Sequence, residues 1–143
     1  MTVEISPLES VTSEVLEAFD RLLPQLSANA KPIGAAELEA LLGWQGTTVL
    51  LARLDGRIVG TLTLVLFPIP SGLRAWVEDV VVDSSARGNG VGAALTTHAL
   101  GLARAAGARA VDLTSRPSRM AARRLYEGLG FGVRDSRLYR YQL

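Results

Sequence analysis

The chain has 143 residues, 48% of them hydrophobic and 20% charged, so we expect a single globular domain over residues 1–143. Its formal net charge of +1 gives no reason to expect nucleic-acid binding, and the lack of cysteine excludes disulfides, thiol nucleophiles and thiolate metal sites. His98 is the only histidine, which excludes a multi-histidine zinc site and argues against a Ser-His-Asp triad.

The first half of the sequence predicts a strand, two helices and three further strands. Apolar residues recur at helical spacing up to Leu23, where Pro24 closes the first helix, and Gly43 ends the second helix. Asp55-Gly56 lies between two strand-like segments and is a strong signal for a hairpin turn. In chain order the elements are a strand over 2–6, helices over 11–23 and 35–42, and strands over 47–54, 57–67 and 73–82.

The second half predicts two helices, one strand between them and a closing hairpin. Gly107 and Gly130 end the two helices, and the strand–helix–strand order implies a parallel pair of strands. The elements are helices over 90–106 and 118–129, a strand over 110–114, and hairpin strands over 131–133 and 138–141. The fold class is therefore α/β, with a mixed sheet that is antiparallel first, then contains one βαβ unit, and ends in an antiparallel hairpin.

The glycine-rich segment after the strand Val80–Val82 is the first candidate site. It reads Arg87-Gly88-Asn89-Gly90-Val91-Gly92 and leads directly into a predicted helix. Glycines allow the backbone to approach an anion closely, and the first N–H groups of a helix have no partners within it. The pattern predicts a site for a cofactor that carries a pyrophosphate.

A dinucleotide is one alternative, because Gly88-x-Gly90-x-x-Ala93 fits the Rossmann fingerprint and Asp112 stands where the ribose-binding acid is expected. The agreement with the Rossmann fingerprint is limited to these residue positions. A Rossmann glycine loop follows the first strand of its sheet, whereas several strands and two helices come before this one. The chain also has one βαβ unit where a dinucleotide needs two. A P-loop is excluded because no Gly-Lys-Ser/Thr follows the glycines.

Two motifs resemble those of the GNAT (Gcn5-related N-acetyltransferase) superfamily. Arg87-x-x-Gly90-x-Gly92 is similar to its acetyl-CoA motif, and Leu125-Tyr126-Glu127-Gly128-Leu129-Gly130-Phe131 is similar to its Leu-Tyr-x-x-x-Gly-Phe signature. The hairpin at 55–60 is also typical of the family. The resemblance is specific over 76–131, and earlier residues agree in element order, β-α-α-β-β-β-α-β-α-β-β. It implies a small, bacterial-type member that transfers an acetyl group from acetyl-CoA directly to an amine, without an acyl-enzyme.

The resemblance also implies how acetyl-CoA is bound. The strand Val80–Val82 carries a bulge and splays from its parallel neighbour at 110–114, so that the pantetheine arm pairs with main-chain groups of Val80 and Val82. Main-chain N–H groups of 88–93 hold the pyrophosphate, and Arg87 stiffens the loop or adds charge. Arg119 stands where many members carry an Asn that contacts CoA. The implied cofactor-binding residues are Val80, Val81, Val82, Arg87, Gly88, Asn89, Gly90, Val91, Gly92, Ala93 and Arg119.

Two residues are candidates for proton transfer, and no metal is implied. Tyr126 occupies the family's acid position, where a pKa of about 10 keeps the phenol protonated at neutral pH. The alternative is a tyrosine that only packs, with its hydroxyl bonded to the backbone. Glu78 is the candidate base, and at strand spacing it faces the same side as Val80 and Val82 unless a bulge alters the alternation. Its alternatives are a clamp for the substrate ammonium group and an ordinary surface carboxylate.

The remaining expectations concern partners and the acceptor. We expect acetyl-CoA and a small amine as partners, with a homodimer as a further possibility and no membrane partner. No segment resembles a secretory signal or a membrane span, so a cytoplasmic protein is the expectation. Acetylation of a protein lysine or N-terminus, and acetyl-CoA binding without turnover, stay open as alternatives.

His98 is expected at the edge of the core, and Trp44 and Trp76 in the core or a pocket wall. Candidate acceptor-pocket residues, for which core packing is the favoured alternative, are Phe19, Leu23, Trp44, Phe67 and Ile69.

Overall fold

The fold is one five-stranded mixed sheet with helices on both faces, seen in a computed structural model that describes residues 2–143. The strands lie in the order β1-β2-β3-β4-β5, and every neighbouring pair is antiparallel except β4 and β5, which are parallel. The predicted α/β fold class is confirmed. The elements are β1 Val3–Pro7, α1 Ser13–Leu26, α2 Ala35–Leu42, β2 Thr47–Leu54, β3 Arg57–Ile69, β4 Gly72–Val82, α3 Val91–Ala106, β5 Val111–Asp112 and α4 Met120–Gly128.

Each face of the sheet has its own core, because side chains alternate between the faces along a strand. On one face α1 and α2 bury Leu22 and Leu38 against Val49 and Leu51 of β2. On the other face α3 packs its buried stripe, which includes Leu95, against a second cluster of strand residues. Residues of β2 therefore contribute alternately to the two cores, as a sheet covered on both sides requires.

The structure differs from the predictions in the first half at the ends of several elements. Pro24 lies inside the last turn of α1, which continues to Leu26, because the Ser27 N–H still donates to the carbonyl of Leu23 at 3.1 Å. The predicted loop 68–72 is mostly strand, since β3 and β4 form one long hairpin. Trp44, predicted in the core or a pocket wall, is 69% exposed in the α2–β2 connection, while Phe19 packs in the core of the α1 face.

The predicted closing hairpin is wrong, because the described residues after α4 form no strand. Strand β5 is also shorter than predicted, with only Val111 and Asp112 paired to β4. A two-residue edge strand offers little main chain for a further strand to pair with. Among residues 2–143, no helix is long and apolar enough to cross a membrane.

Candidate active site

The two parallel strands separate halfway along β4. Ala75 pairs with Val111 and Trp76 with Asp112, and no pairing between β4 and β5 follows among the described residues. Strand β4 continues to Val82 with β3 as its only neighbour. The second half of β4 therefore presents an unpaired edge to the space between the strands, as the resemblance predicts.

A bulge lies in β4 at the start of this unpaired edge. Asp79 and Val80 together lie opposite the single residue Leu62 of β3, where the pairing register shifts. Asp79 adopts φ 48°, in the left-handed region that non-glycine residues rarely occupy. Burial, and then the nearby Glu78 carboxylate, raise the pKa of Asp79 above its ordinary value. The bulge thus places a carboxyl group with a raised pKa near the point where β4 and β5 separate.

The bulge changes which residues of β4 share a face. Val77 before it and Val80 and Val82 after it all belong to the core on the α3 face, whereas Val81 belongs to the core on the α1 face. Glu78 is next to Val77 and therefore lies on the α1 face. The expectation that Glu78 shares a side with Val80 and Val82 is wrong, because the extra residue reverses the alternation.

The main chain of Val80 and Val82 is directed toward the space between β4 and β5. The Asp83 N–H donates to the Val59 carbonyl of β3 at 2.7 Å, so Asp83 and, by alternation, Val81 direct their main-chain groups toward β3. Val80 and Val82 then direct theirs to the opposite side. This leaves hydrogen-bonding groups of β4 free at the edge where the resemblance places the pantetheine arm.

The glycine loop joins β4 to α3 at the same end of the sheet. Gly88 and Gly90 have φ of 85° and 74°, a conformation that glycine adopts without strain. Gly90 is the N-cap of α3 and provides no side chain to satisfy the first N–H groups of the helix. The Asn89 side-chain amide donates to the Ala86 carbonyl at 2.9 Å and fixes the loop from within. The free N–H groups and the helix dipole make this end of α3 suited to an anion.

Helix α4 packs against this helix start. A Cβ placed at Gly92 would lie 3.1 Å from Cδ2 of Leu125 in α4 and 3.8 Å from Cγ2 of Val82 in β4. The absence of a side chain at Gly92 therefore lets α4 lie close to both the loop and the open edge of β4. This contact brings the two sequence motifs together in space, although they are far apart in the chain.

Tyr126 follows Leu125 in α4 and is half-buried. Burial raises the pKa of its hydroxyl above 10, and the positive charge of Arg119 opposes part of that rise. Its ring meets Phe131 edge-on at 5.6 Å, and the Phe131 N–H donates to the Tyr126 carbonyl at 2.9 Å. These contacts hold the ring of Tyr126 against the residues that follow α4.

The Glu78 carboxylate is exposed and held by a neighbour on the same face of β4. Trp76 Nε1 donates to Glu78 Oε1 at 2.7 Å. Trp76 itself is half-buried on β4. Neither its contact with Glu78 nor the position of Asp79 is predicted. The i, i+2 spacing of Trp76 and Glu78 in a strand could have revealed the contact. The resemblance implies a bulge in this strand, but nothing in the sequence fixes it at Asp79.

Three further residues singled out by the sequence take part in none of the hydrogen bonds above. Arg87 is exposed in the loop. His98 is half-buried in α3, at the core edge as expected. Arg119 is exposed at the N-cap of α4. Arg87 and Arg119 are positive groups that a bound anion can reach.

Comparison with known proteins identifies the family of this chain. Residues 13–131 match the family model described as "Acetyltransferase (GNAT) family". The chain belongs to this family. The resemblance drawn from the two motifs is confirmed, and the chain is an acetyltransferase, of a family that uses acetyl-CoA as co-substrate. Family membership also argues against the dinucleotide alternative.

Several named proteins are similar to this chain. Glucosamine 6-phosphate N-acetyltransferase from Trypanosoma brucei brucei is 33% identical over 138 residues, which cover 91% of this chain and 88% of that protein. The crystal structure of a Trypanosoma brucei acetyltransferase is 31% identical, with a TM-score of 0.79, and covers 99% of this chain and 100% of that one. A glucosamine-6-phosphate N-acetyltransferase from Arabidopsis thaliana, 22% identical over 99% of each chain, shares the fold with a TM-score of 0.82.

Proposed function

We propose that this acetyltransferase binds acetyl-CoA between β4 and β5 and transfers its acetyl group directly to the primary amine of a small molecule. One observation carries the proposal. The unpaired edge of β4 runs straight into the glycine loop and the uncapped start of α3, so one extended ligand can meet both. We further propose that residues 1–143 act as one N-acetyltransferase domain.

The pantetheine arm and the pyrophosphate of acetyl-CoA bind to different parts of this surface. Pantetheine amides pair with the main chain of Val80 and Val82, which faces away from β3, as an added strand would. The pyrophosphate lies on the N–H groups that begin α3, with Arg87 adding positive charge and Arg119 available to a CoA phosphate. The residues assigned to acetyl-CoA are Val80, Val81, Val82, Arg87, Gly88, Asn89, Gly90, Val91, Gly92, Ala93 and Arg119.

The reaction needs two proton transfers. The amine nitrogen attacks the thioester carbonyl carbon, the carbon–sulfur bond breaks, and the thiolate of CoA leaves. We assign the proton that this thiolate takes up to Tyr126, whose raised pKa keeps the hydroxyl protonated at neutral pH. Positioning of the two reactants supplies much of the acceleration, which suits a chain without cysteine.

Glu78 is assigned the proton that the amine loses, directly or through water. Its carboxylate is exposed to solvent and oriented by Trp76 at 2.7 Å. Because a base takes up the proton of the attacking amine, Glu78→Gln should lower kcat. A merely raised KM for the amine, with kcat unchanged, would make Glu78 a clamp for the ammonium group instead.

The acceptor class rests on the named activity of a relative, glucosamine 6-phosphate N-acetyltransferase. The test is a free-thiol release assay with acetyl-CoA over a panel of small amines that includes glucosamine 6-phosphate, run beside lysine-containing and free N-terminal peptides. We expect thiol release with at least one small amine. A clear preference for peptides would support protein acetylation, and tight acetyl-CoA binding without any release would support a non-catalytic module.

We also propose that the protein forms a homodimer through the segment after α4. This segment carries apolar side chains that are at least 67% exposed, namely Val133, Leu138, Tyr139, Tyr141 and Leu143. Strand β5 lies at one edge of the sheet. An exposed apolar segment and an open strand edge can cover one another reciprocally in two copies. Light scattering of the purified protein would show a dimer mass.

A further inference from the structure

A group of hydrogen bonds connects α1 to the turn that carries the glycine loop. Arg21 Nη1 of α1 donates to Asp83 Oδ2 at 2.7 Å and to the Ile58 carbonyl of β3 at 3.1 Å. Gln25, one helical turn further, accepts from the Ser84 N–H through Oε1 at 2.9 Å. Its Nε2 also donates to the Arg21 carbonyl at 3.1 Å. Two side chains from one face of α1 therefore hold two consecutive residues of the turn.

Asp83 also accepts hydrogen bonds from the turn that follows it, Ser84–Ala86. Its Oδ1 accepts from both the N–H and the hydroxyl of Ser85 at 3.0 Å, while its Oδ2 is occupied by Arg21. Asp83 is 5% exposed, and the Ala86 N–H donates to its main-chain carbonyl at 2.9 Å. A buried carboxylate with both oxygens hydrogen-bonded is held in one orientation. The turn Ser84–Ala86 is consequently fixed at its first residue.

The same chain of contacts continues into the loop. Ala86, the last residue of the turn, accepts the Asn89 side-chain amide, and Asn89 stands between the two left-handed glycines. Glycine loses more conformational freedom than any other residue when it is ordered, so a loop built on Gly88 and Gly90 needs support from outside. The hydrogen bonds that α1 makes to the residues preceding this loop are those to Asp83 and Ser84.

We propose that Arg21 is a positioning residue for acetyl-CoA, which together with Gln25 holds the loop's preceding turn in the conformation that receives the pyrophosphate. The inference rests on the proposed acetyl-CoA site. Arg21 has no contact with the reacting atoms in this arrangement. Its loss therefore raises the cost of ordering the loop when the cofactor binds and leaves the chemical step alone.

The decisive variants remove each contact in turn. Arg21→Met keeps the aliphatic length but loses both donated hydrogen bonds, and Gln25→Leu loses the bond to the Ser84 N–H while the ion pair stays. Arg21→Lys retains a positive donor that can reach Asp83. The readouts are the acetyl-CoA Kd from titration calorimetry and the separate values of KM for acetyl-CoA and kcat.

We expect Arg21→Met to raise Kd and KM for acetyl-CoA by about tenfold with kcat little changed, as lost preorganisation would do. Gln25→Leu should show a smaller rise, and Arg21→Lys should recover most of the affinity. If Arg21→Met fails to fold, Gln25→Leu still decides the matter. Kd values equal to that of the wild type in Arg21→Met, or in Gln25→Leu where Arg21→Met does not fold, would overturn the proposal, as would a loss of kcat at unchanged Kd.

Two matched variants separate positioning from general stability. Glu14→Gln breaks the other ion pair of α1, the 2.9 Å contact with Arg53 of β2, which is remote in sequence from the loop and makes no contact with it. Leu16→Ala removes apolar packing from α1. Both should leave the acetyl-CoA Kd unchanged, even where thermal stability falls. A rise in Kd in either that equals the rise in Arg21→Met would make the effect one of stability, and a wild-type protein that binds no acetyl-CoA would overturn the proposed function itself.

Discussion

Two segments with strand-like sequences have opposite outcomes in this molecule. Val80–Val82 pairs with β3 and is packed against by helices on both faces of the sheet. The segment 138–141 carries two tyrosines, which also favour strands, yet it forms no strand within residues 2–143 and its apolar side chains are exposed. Strand propensity describes a fit to a pleated, half-buried surface, so it produces a strand only where a partner edge is available.

The first segment also carries the chemistry. A residue inserted in β4, two left-handed glycines and a helix without a side-chain cap all lie between Asp79 and Gly90. Each departs from regular structure, and the turn between the bulge and the glycines is held by hydrogen bonds from Arg21 and Gln25. The C-terminal segment departs from regular structure for lack of contacts. We therefore expect substitutions in 79–90 to change stability or acetyl-CoA binding strongly. Substitutions in the C-terminal segment should change stability little.

The largest effect is expected at Tyr126, where the site meets α4. Tyr126→Phe removes the hydroxyl and keeps the ring contact with Phe131. Loss of a general acid lowers the rate of a proton-transfer step by roughly a hundredfold or more. We expect kcat to fall by about that factor while the acetyl-CoA Kd, measured by calorimetry, is unchanged. An unaltered kcat would remove Tyr126 from the mechanism.

How far the sequence predicts this site depends on the distance between the interacting residues. The glycine loop, the Leu-Tyr motif and most helices follow from local pattern, because capping, periodicity and glycine conformation are local effects. The contact between Arg21 and Asp83 joins residues 62 apart, and no local pattern indicates it. The bulge at Asp79 reverses the face of Glu78, which period-2 alternation alone could not foresee. The closing hairpin failed because its partner edge at β5 is only two residues long.

The next effect is expected on acid stability, through Asp83. The Ser85 N–H, and the contact with Arg21, lower the pKa of this carboxyl to about 2. Because the unfolded carboxyl binds protons more readily, the charged form stabilises the fold at pH values above about 4, and this contribution is lost as the pH falls toward 2. It amounts to about 2 kcal/mol.

Urea unfolding across this pH range should show the free energy of unfolding falling more steeply in the wild type than in Asp83→Asn. The difference between the two proteins should then shrink as the pH is lowered. A difference that stays constant with pH would mean that Asp83 acts through packing and neutral hydrogen bonds. That result would weaken the contrast between the contact-held turn and the C-terminal segment.

A smaller effect is expected from glycines that lie in one region of the chain but in different conformations. Gly90 has φ 74° at the start of α3, while Gly101 is inside the same helix with open space where a Cβ would lie. Gly90→Ala should destabilise the protein by about 1 kcal/mol, and Gly101→Ala should stabilise it by a similar amount. Thermal unfolding measures both. We expect only Gly90→Ala to weaken acetyl-CoA binding, and equal behaviour of the two variants would contradict the conformational role of Gly90.

The smallest effect on folding is expected in the C-terminal segment. Tyr139 and Tyr141 are 88% and 87% exposed, so replacing both by Ser should change the free energy of unfolding of dilute, monomeric protein by less than about 0.5 kcal/mol. Val81→Ser is the matched change in the contact-held segment, where the side chain is 5% exposed, and should cost roughly 1–3 kcal/mol. Light scattering at higher concentration should show weaker association for the tyrosine variant alone. If its unfolding free energy in the monomer falls as far as that of Val81→Ser, the two segments are equally held and the comparison between them fails.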